Sequence, residues 1–312
     1  MLRLPVALST RCARGLLQIL IAGALAQTYG CASGGAAADM TPVALNGVRP
    51  NGIAVNAGDG AVYLTDDAKS SILRSADGRA FAPYTSIPQA PGQGISLSQL
   101  SFDREGNLLA VRFGFGSASA VFAVKGADSA TLLSGPNPAR RRLGIAAVGA
   151  NQALSTWFVK ESSAPAAGGV SLLTYDTATG HATERDLITG LGKPVGVAVS
   201  GDMVYVSDQA RNVIVRVPLA SLLQAAQPVS VTDTFAKIDN PDLMAADAQG
   251  ALYTHCKSAS VCKIATDGTV SEIASDFHDA RGVAVDATRH RLYVVDRAAA
   301  GGTSYVRILP LR

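Results

Sequence analysis

Charge is what this chain has little of. Asp, Glu, Lys and Arg make up 16% of its 312 residues, histidine occurs four times and tryptophan once. Three of the 27 basic residues, Arg3, Arg11 and Arg14, stand in the first 30 positions, which hold no acid; without them 24 bases face 24 acids. A chain that balances to zero has no electrostatic case for nucleic acid or an acidic membrane surface. The local exception is Arg140-Arg141-Arg142, expected as a solvated loop. Long apolar runs are missing as well: after the N-terminal segment nothing approaches the ~18 residues of a membrane span. Gly-x-Ser-x-Gly, His-Glu-x-x-His and Gly-x-x-x-x-Gly-Lys-Ser/Thr are absent, which excludes a nucleophile elbow, a helical zinc-hydrolase site and a phosphate loop of those types. Gly114-Phe115-Gly116 is a glycine pair in a strand connection, not a dinucleotide fingerprint. His255 with two cysteines is too small a set for structural zinc. What is abundant is apolar residues, at 48%, and 31 glycines, ample for a sizeable core and unlike a disordered chain.

The N-terminal segment has the form of an export signal. Its arginines precede the apolar run from Leu16 to Ala26, and Ala24-Leu25-Ala26 fits a small-x-small cleavage site. Thr28-Tyr29-Gly30-Cys31 also resembles a bacterial lipobox, with Thr28 where Leu is usual. Two processing routes stay open for a signal peptide over 1–30: cleavage after Ala26, or cleavage before a lipidated Cys31. The first leaves Cys31, Cys256 and Cys262, an odd number; the second leaves Cys256 and Cys262 free to pair. Residues 31–40 read as a flexible linker. Either route predicts an exported protein, periplasmic or extracellular, that meets a membrane only through a lipid anchor.

From residue 50 one phrase recurs. It stands as Pro50-Asn-Gly-Ile-Ala-Val55, Ser98-Gln-Leu-Ser-Phe102, Leu143-Gly-Ile-Ala-Ala147, Pro194-Val-Gly-Val-Ala-Val199, Pro241-Asp-Leu-Met-Ala-Ala246 and Ala280-Arg-Gly-Val-Ala-Val285. The aligned apolar residues Ile53, Leu100, Ile145, Val197, Met244 and Val283 are 47, 45, 52, 47 and 39 positions apart. That period fits propeller blades. A turn and a second apolar strand follow each phrase, as in Ala61-Val-Tyr-Leu-Thr65 and Met203-Val-Tyr-Val-Ser207, then third and fourth strands such as Val213–Val217 and Ser230–Thr234. Helical patterning is confined to Pro218–Ala226. The fold class is therefore all-β: a six-bladed β-propeller of four-stranded blades over 41–312. The residue after each aligned apolar one is small (Ala54, Ser101, Ala146, Ala198, Ala245, Ala284), as innermost strands converging on an axis require. The last blade has only three strands of its own, so Thr41–Val48 is expected to complete blade six and close the ring.

The rhythm of 194–208, Pro-Val-Gly-Val-Ala-Val followed by Val-Tyr-Val-Ser-Asp, resembles NHL-repeat propellers and the SMP-30/gluconolactonase/LRE-like superfamily. The resemblance covers 41–312 and implies architecture, not activity. In such propellers the residue two before the aligned apolar one enters the top of the channel, here Asn51, Ser98, Leu143, Val195, Asp242 and Arg281. The resemblance implies a divalent cation held by a first-blade Glu, a middle-blade Asn and the Asp of Pro-Asp-Gly. Asp242 matches the last, Leu243 replaces the glycine, Asn51 stands at the acid position and Val195 at the amide position. Arg281 falls in the blade between Asp242 and Asn51, so Asp242 is expected to pair with Arg281 or cap its own turn.

His278 and Asp279 lead into blade six on the same face as Arg281. The paired His and Glu of streptogramin lyases are not evident, which leaves His278 as a satisfied loop histidine. Asp66, Asp208 and Asp296 recur at the ends of second strands, where turn hydrogen bonding explains them. Cys256 and Cys262 flank a short connection in blade five and are expected to form a disulfide.

These readings lead to an exported, non-catalytic propeller that binds a small organic ligand or a protein partner at its top face through Asn51, Ser98, Asp242, His278, Asp279 and Arg281, with no cofactor. The alternative is a lactonase/esterase-type hydrolase with a divalent cation (Ca, Zn, Mn or Mg) on Asp242 and Asn51. A scaffold acting through loop surfaces is the third class.

Overall fold

The six phrases form the innermost strands of six antiparallel sheets. The computed structural model describes residues 40–311 apart from 116–117, 128, 161–165 and 258. The signal peptide, most of the linker, Cys31 and Gly116 lie outside the described residues. Blade one runs Pro50–Val55, Val62–Asp66, Ser71–Ser75 and Ala82–Ser86 from axis to rim; the innermost strands of the others begin at Leu97, Arg141, Pro194, Met244 and Ala280. In the sixth sheet the outermost strand is Val43–Leu45, antiparallel to Ser304–Pro310 with Leu45 opposite Ser304. Among the described residues no helix is long and apolar enough to cross a membrane.

Second strands such as Val62–Asp66 are buried at every position. Neighbouring blades cover both of their faces, so they read as continuous apolar runs rather than alternating ones. The core accordingly lies between blades: Tyr63 and Ile72 of blade one pack with Leu97, Leu108 and Phe122 of blade two. Asp66, Asp208 and Asp296 end second strands and pin the loops that enter their own blades. Asp66 accepts the amides of Arg49 and Ala68 at 2.9 Å, Asp208 those of Gly192 and Lys193 at 2.9 Å, and Asp296 that of His278 at 2.8 Å.

Two expectations need correction. The stretch at Ser230 does not supply the fourth strand of blade four. Val229–Ser230 instead pairs parallel with Ile188 and Thr189 as a fifth strand on blade three, and Ala236–Lys237 completes blade four against Val213 and Ile214. The short helix Leu219–Gln224 is the cause. Its last carbonyls are held by Arg185 of blade three, which carries the chain to that blade's open edge and covers it.

Arg140–Arg142 is not a solvated loop. Arg142 is 1% exposed and donates to both oxygens of Glu184 at 2.8 Å. Arg140 bonds Asp186 at 2.6 and 2.8 Å and lies 3.8 Å over the Trp157 ring. Both acids stand on the fourth strand of the same blade, more than forty residues away in sequence, so the charges meet only when the sheet forms.

Cys256 and Cys262 are joined by a disulfide across the second and third strands of blade five, with Cα atoms 5.8 Å apart. Replacing both with serine should lower unfolding stability by about 2 kcal/mol, the loop-closure entropy of so short a ring. Denaturant unfolding checks the magnitude, and two free thiols by mass spectrometry of non-reduced peptides would refute the bond.

Candidate functional site

The mouth residues are aimed by a repeated irregularity. Five innermost strands carry a register shift just before the aligned apolar residue, at Pro50/Ile53, Leu97/Leu100, Arg142/Ile145, Pro194/Val197 and Ala280/Val283. A bulge bends the strand and redirects one side chain, here into the channel. The amides it frees are taken up by hydroxyls of second strands: Thr65 accepts Gly52, Thr156 accepts Gly144 and Ser207 accepts Gly196, at 2.7–2.8 Å. Thr156 and Ser207 then donate to the carbonyls of Val195 and Asp242 in the next blade. The glycines themselves permit this approach. A Cβ on Gly52 would stand 1.9 Å from the Ser98 carbonyl oxygen, and Gly144, Gly196 and Gly282 face the carbonyls of Val195, Asp242 and Asn51 in the same way.

Asn51, Ser98, Leu143, Val195, Asp242 and Arg281 all line one cavity of about 290 Å³ at the mouth. The small residues Ala54, Ser101, Ala146, Ala198, Ala245 and Ala284 line a separate axial cavity of about 230 Å³. Gln99 lines the axial cavity. Its Nε2 donates to the carbonyls of Val197 and Met244 at 2.9 and 3.1 Å, and its Oε1 accepts the amides of Ile145 and Val197 at 3.2 Å. Both donors and both acceptor positions of the amide are used, so its position is fixed.

Asp242 is buried. Its Oδ2 lies 3.4 Å from Arg281 Nη1 and 3.9 Å from His255 Nδ1, the latter too long for a hydrogen bond. Burial pushes the Asp242 carboxyl up, but His255 and the Arg281 guanidinium together hold it below its ordinary value. Arg281 also contacts Asp279 through Nε at 2.8 Å and Nη2 at 2.6 Å. Three of its five guanidinium N–H groups are thus engaged, and two remain for the mouth. Asn51 is tied to the Leu97 carbonyl by Nδ2 at 2.6 Å. His278 Nδ1 lies 3.2 Å from Asp296, and its ring stacks on Tyr305 at 6.4 Å. His278, Asp279 and Arg281 line an adjoining hollow of about 530 Å³ with Arg49 and Arg297. Among the described residues Ser98 Oγ and both ring nitrogens of His255 are buried with no partner within hydrogen-bond distance.

Two further rings escaped the sequence reading. In five blades the residue two before the ring position lies opposite the one where the second strand leaves the sheet. The pairs are Arg49 with Asp67, Ser96 with Phe113, Lys193 with Gln209 and Asp279 with Arg297, plus Arg141 with Phe158. Lys193, Arg297 and Phe113 thereby enter the mouth. Lys193 bonds the Gln209 amide oxygen, and burial pulls its ammonium below the ordinary value. Arg297 pairs with Asp67 at 3.1 Å. The signal was available: each of these positions sits at a fixed offset from a ring residue already aligned. Gln99 was legible too, as the one polar residue in a slot that holds glycine in four phrases and Leu243 in another.

The donor set does not fit a hard divalent cation. Such ions want several oxygens and a negative site. Here Val195 has no donor, Asn51 already holds a carbonyl, and Asp242 carries a guanidinium. Around the mouth and its adjoining hollow, Arg49, Lys193, Arg281 and Arg297 face Asp67, Asp242 and Asp279, an excess of one positive charge. Among the described residues no group of three or more His, Cys, Asp or Glu side chains could hold a metal.

No protein-family model and no curated protein matches this sequence. Solved structures do match. A gluconolactonase from Xanthomonas campestris aligns with TM-score 0.64 and 16% identity over 85% of this chain and 86% of its own. Regucalcin from Agrobacterium tumefaciens, a calcium-binding protein, gives 0.60 and 15% over 86% and 91%. These structures share the propeller fold of this chain. Virginiamycin B lyase from Staphylococcus aureus shares it at TM-score 0.53 and 15% identity, over 87% of this chain and 88% of the lyase. Identities this low speak for architecture alone, so the chemistry has to be argued from the mouth.

Proposed function

We propose that this protein binds a small organic anion, a carboxylate or an oxygen-rich carbonyl compound, in the mouth of its propeller. The observation that carries this is Arg281. Asp242 and Asp279 fix its guanidinium while two N–H groups stay unengaged, in a cavity with a positive excess. A fork held rigid by two acids is preorganised for a planar anion. Lys193 adds a second positive charge on the neighbouring arc, and a cavity of about 290 Å³ limits the ligand to a compact molecule. Asp242 is then a brace for Arg281 rather than a metal ligand. The disulfide is compatible with export, and the leader read from the sequence makes the periplasm or the extracellular space the working compartment.

Arg281→Ala should weaken carboxylate binding about 100-fold, the scale of truncating one member of a buried charge pair. Arg281→Lys should fall between, because it keeps the charge and loses the fork. Ligand-induced thermal stabilisation measures both, and chelator treatment should leave it unchanged. The competing reading is a lactonase/esterase-type hydrolase, supported by the fold shared with a gluconolactonase and by an acid at Asp242. Stoichiometric Ca²⁺, Zn²⁺ or Mn²⁺ in the purified protein, lost on Asp242→Ala, would install that reading instead.

A further inference from the structure

The rim of the mouth is polar except on one arc. At the position where second strands leave the sheet, blades one, four and six carry Asp67, Gln209 and Arg297, all hydrogen-bonded to their surroundings. Blades two and three carry Phe113 and Phe158 at the same position, with rings stacked at 6.4 Å and 24°. Phe115 meets Phe113 edge-on at 5.7 Å, and the Arg141 guanidinium lies 4.3 Å over Phe115. The chain has only eight phenylalanines, and three gather on this arc. Phe115 is 54% exposed, the most exposed of the large apolar side chains among the described residues. Its exposure is not a demand of core packing, because the core between blades two and three closes without it.

Phe113 is the member that reaches the mouth. It lines the same cavity as Leu143 and Val195, and that cavity also holds Lys193, Arg281 and Arg297. The mouth is therefore amphipathic across its width, with ring faces and aliphatic side chains on one arc and cations on another. Aromatic faces discriminate flat π-systems from saturated groups of equal size through offset stacking and edge contacts. Aliphatic walls alone do not.

We infer that the occupant is an aromatic carboxylate: its ring lies against Phe113, backed by Phe158, and its carboxylate is held by Arg281 with Lys193 close by. This rests on the anion-binding reading above and narrows it to a chemical class. A dianionic sugar acid or an aliphatic acid would leave the aromatic arc without a role. A neutral aromatic would leave the cations without one.

The test compares phenylacetate and trans-cinnamate with cyclohexylacetate, which keeps the carboxylate and ring size and loses the π-face. Binding to the purified protein is read by calorimetry. The aromatic acids should bind about five- to tenfold tighter than cyclohexylacetate. Phe113→Leu, which keeps most of the volume, should bring the two classes to within about twofold. Phe115→Ala, at an exposed site, should reduce the preference in part and serves as the variant least able to disturb folding. Equal binding of aromatic and saturated acids by the parent, or a preference that survives Phe113→Leu, overturns the aromatic assignment and leaves anion binding standing. Failure of all three acids to bind overturns both.

Discussion

Deleting residues 41–48 should abolish cooperative unfolding or drive the protein to aggregate. The segment contributes Val43–Leu45, the outermost strand of blade six, whose removal unpairs Ser304–Val306 and leaves all of Ser304–Pro310 as an open edge. An unpaired edge of that length is a template for intermolecular pairing. The same deletion strips Leu45 from a core cluster that contains Leu64 of blade one and Val306 and Ile308 of blade six, so the seam between first and last blades loses its apolar filling. Leu45→Ala alone should destabilise by about 2–4 kcal/mol, because the site is enclosed and cannot collapse onto the gap. Deleting 32–38, in the linker, should leave the melting transition where it is. If both deletion variants unfold like the parent in scanning calorimetry, the strand does not close the ring.

The second large effect is expected at Glu184→Ala. Arg142 is almost fully buried, its Nη2 shared between both oxygens of Glu184, and its Nη1 has no hydrogen-bond partner. Removing the acid leaves a buried guanidinium uncompensated, which should destabilise by about 3–5 kcal/mol. The pair Arg142→Met with Glu184→Leu should recover most of that loss, since replacing a buried ion pair by apolar side chains is often neutral or better. A double variant as unstable as the single one would mean that the bonds Glu184 makes to Arg140 and the Asn137 amide, or packing, set the effect rather than the Arg142 charge.

The sign of the pH dependence follows from the same pair. Burial pushes the Glu184 carboxyl up, but Arg142 and the Asn137 amide more than offset it, and the group is held below its ordinary range. Burial pulls Arg142 down, yet a guanidinium keeps its proton throughout the working range, so the titration is the acid's. A depressed carboxyl contributes stability that is complete above its unfolded-state value and disappears as pH falls through its folded one. The parent's stability against chemical denaturant should therefore fall on acidification below the ordinary glutamate range. The Arg142→Met/Glu184→Leu variant should show a smaller drop over the same interval.

Much of the candidate site was legible because the blades repeat. Aligning Ile53 with its counterparts put six residues in one ring, and those six do line one cavity. The same alignment, carried two residues back, would have added Arg49, Ser96, Arg141 and Lys193 to Asp279, which was already a candidate. Carried to the exits of the second strands, it would have added Phe113 and Arg297. Treating Arg140–Arg142 as a solvated loop failed for a different reason. A run of three cations has no local partner, and its acids lie on a strand more than forty residues away, so nothing within a sequence window could neutralise it.

What the sequence determined by itself is everything with a short range. Turn aspartates, bulge glycines, small residues at the axis and the strand period each depend on neighbours a few positions away, and each recurs often enough to be read. The tertiary structure decided what meets across blades. It set Gln99 against the backbones of blades three, four and five and gave Val229–Ser230 to blade three rather than blade four. It also set the aromatic arc of Phe113 and Phe158 in the rim of a mouth that holds three cations. Those contacts depend on the angle through which each blade is rotated about the axis, and that angle is fixed by packing between sheets, which no local pattern records.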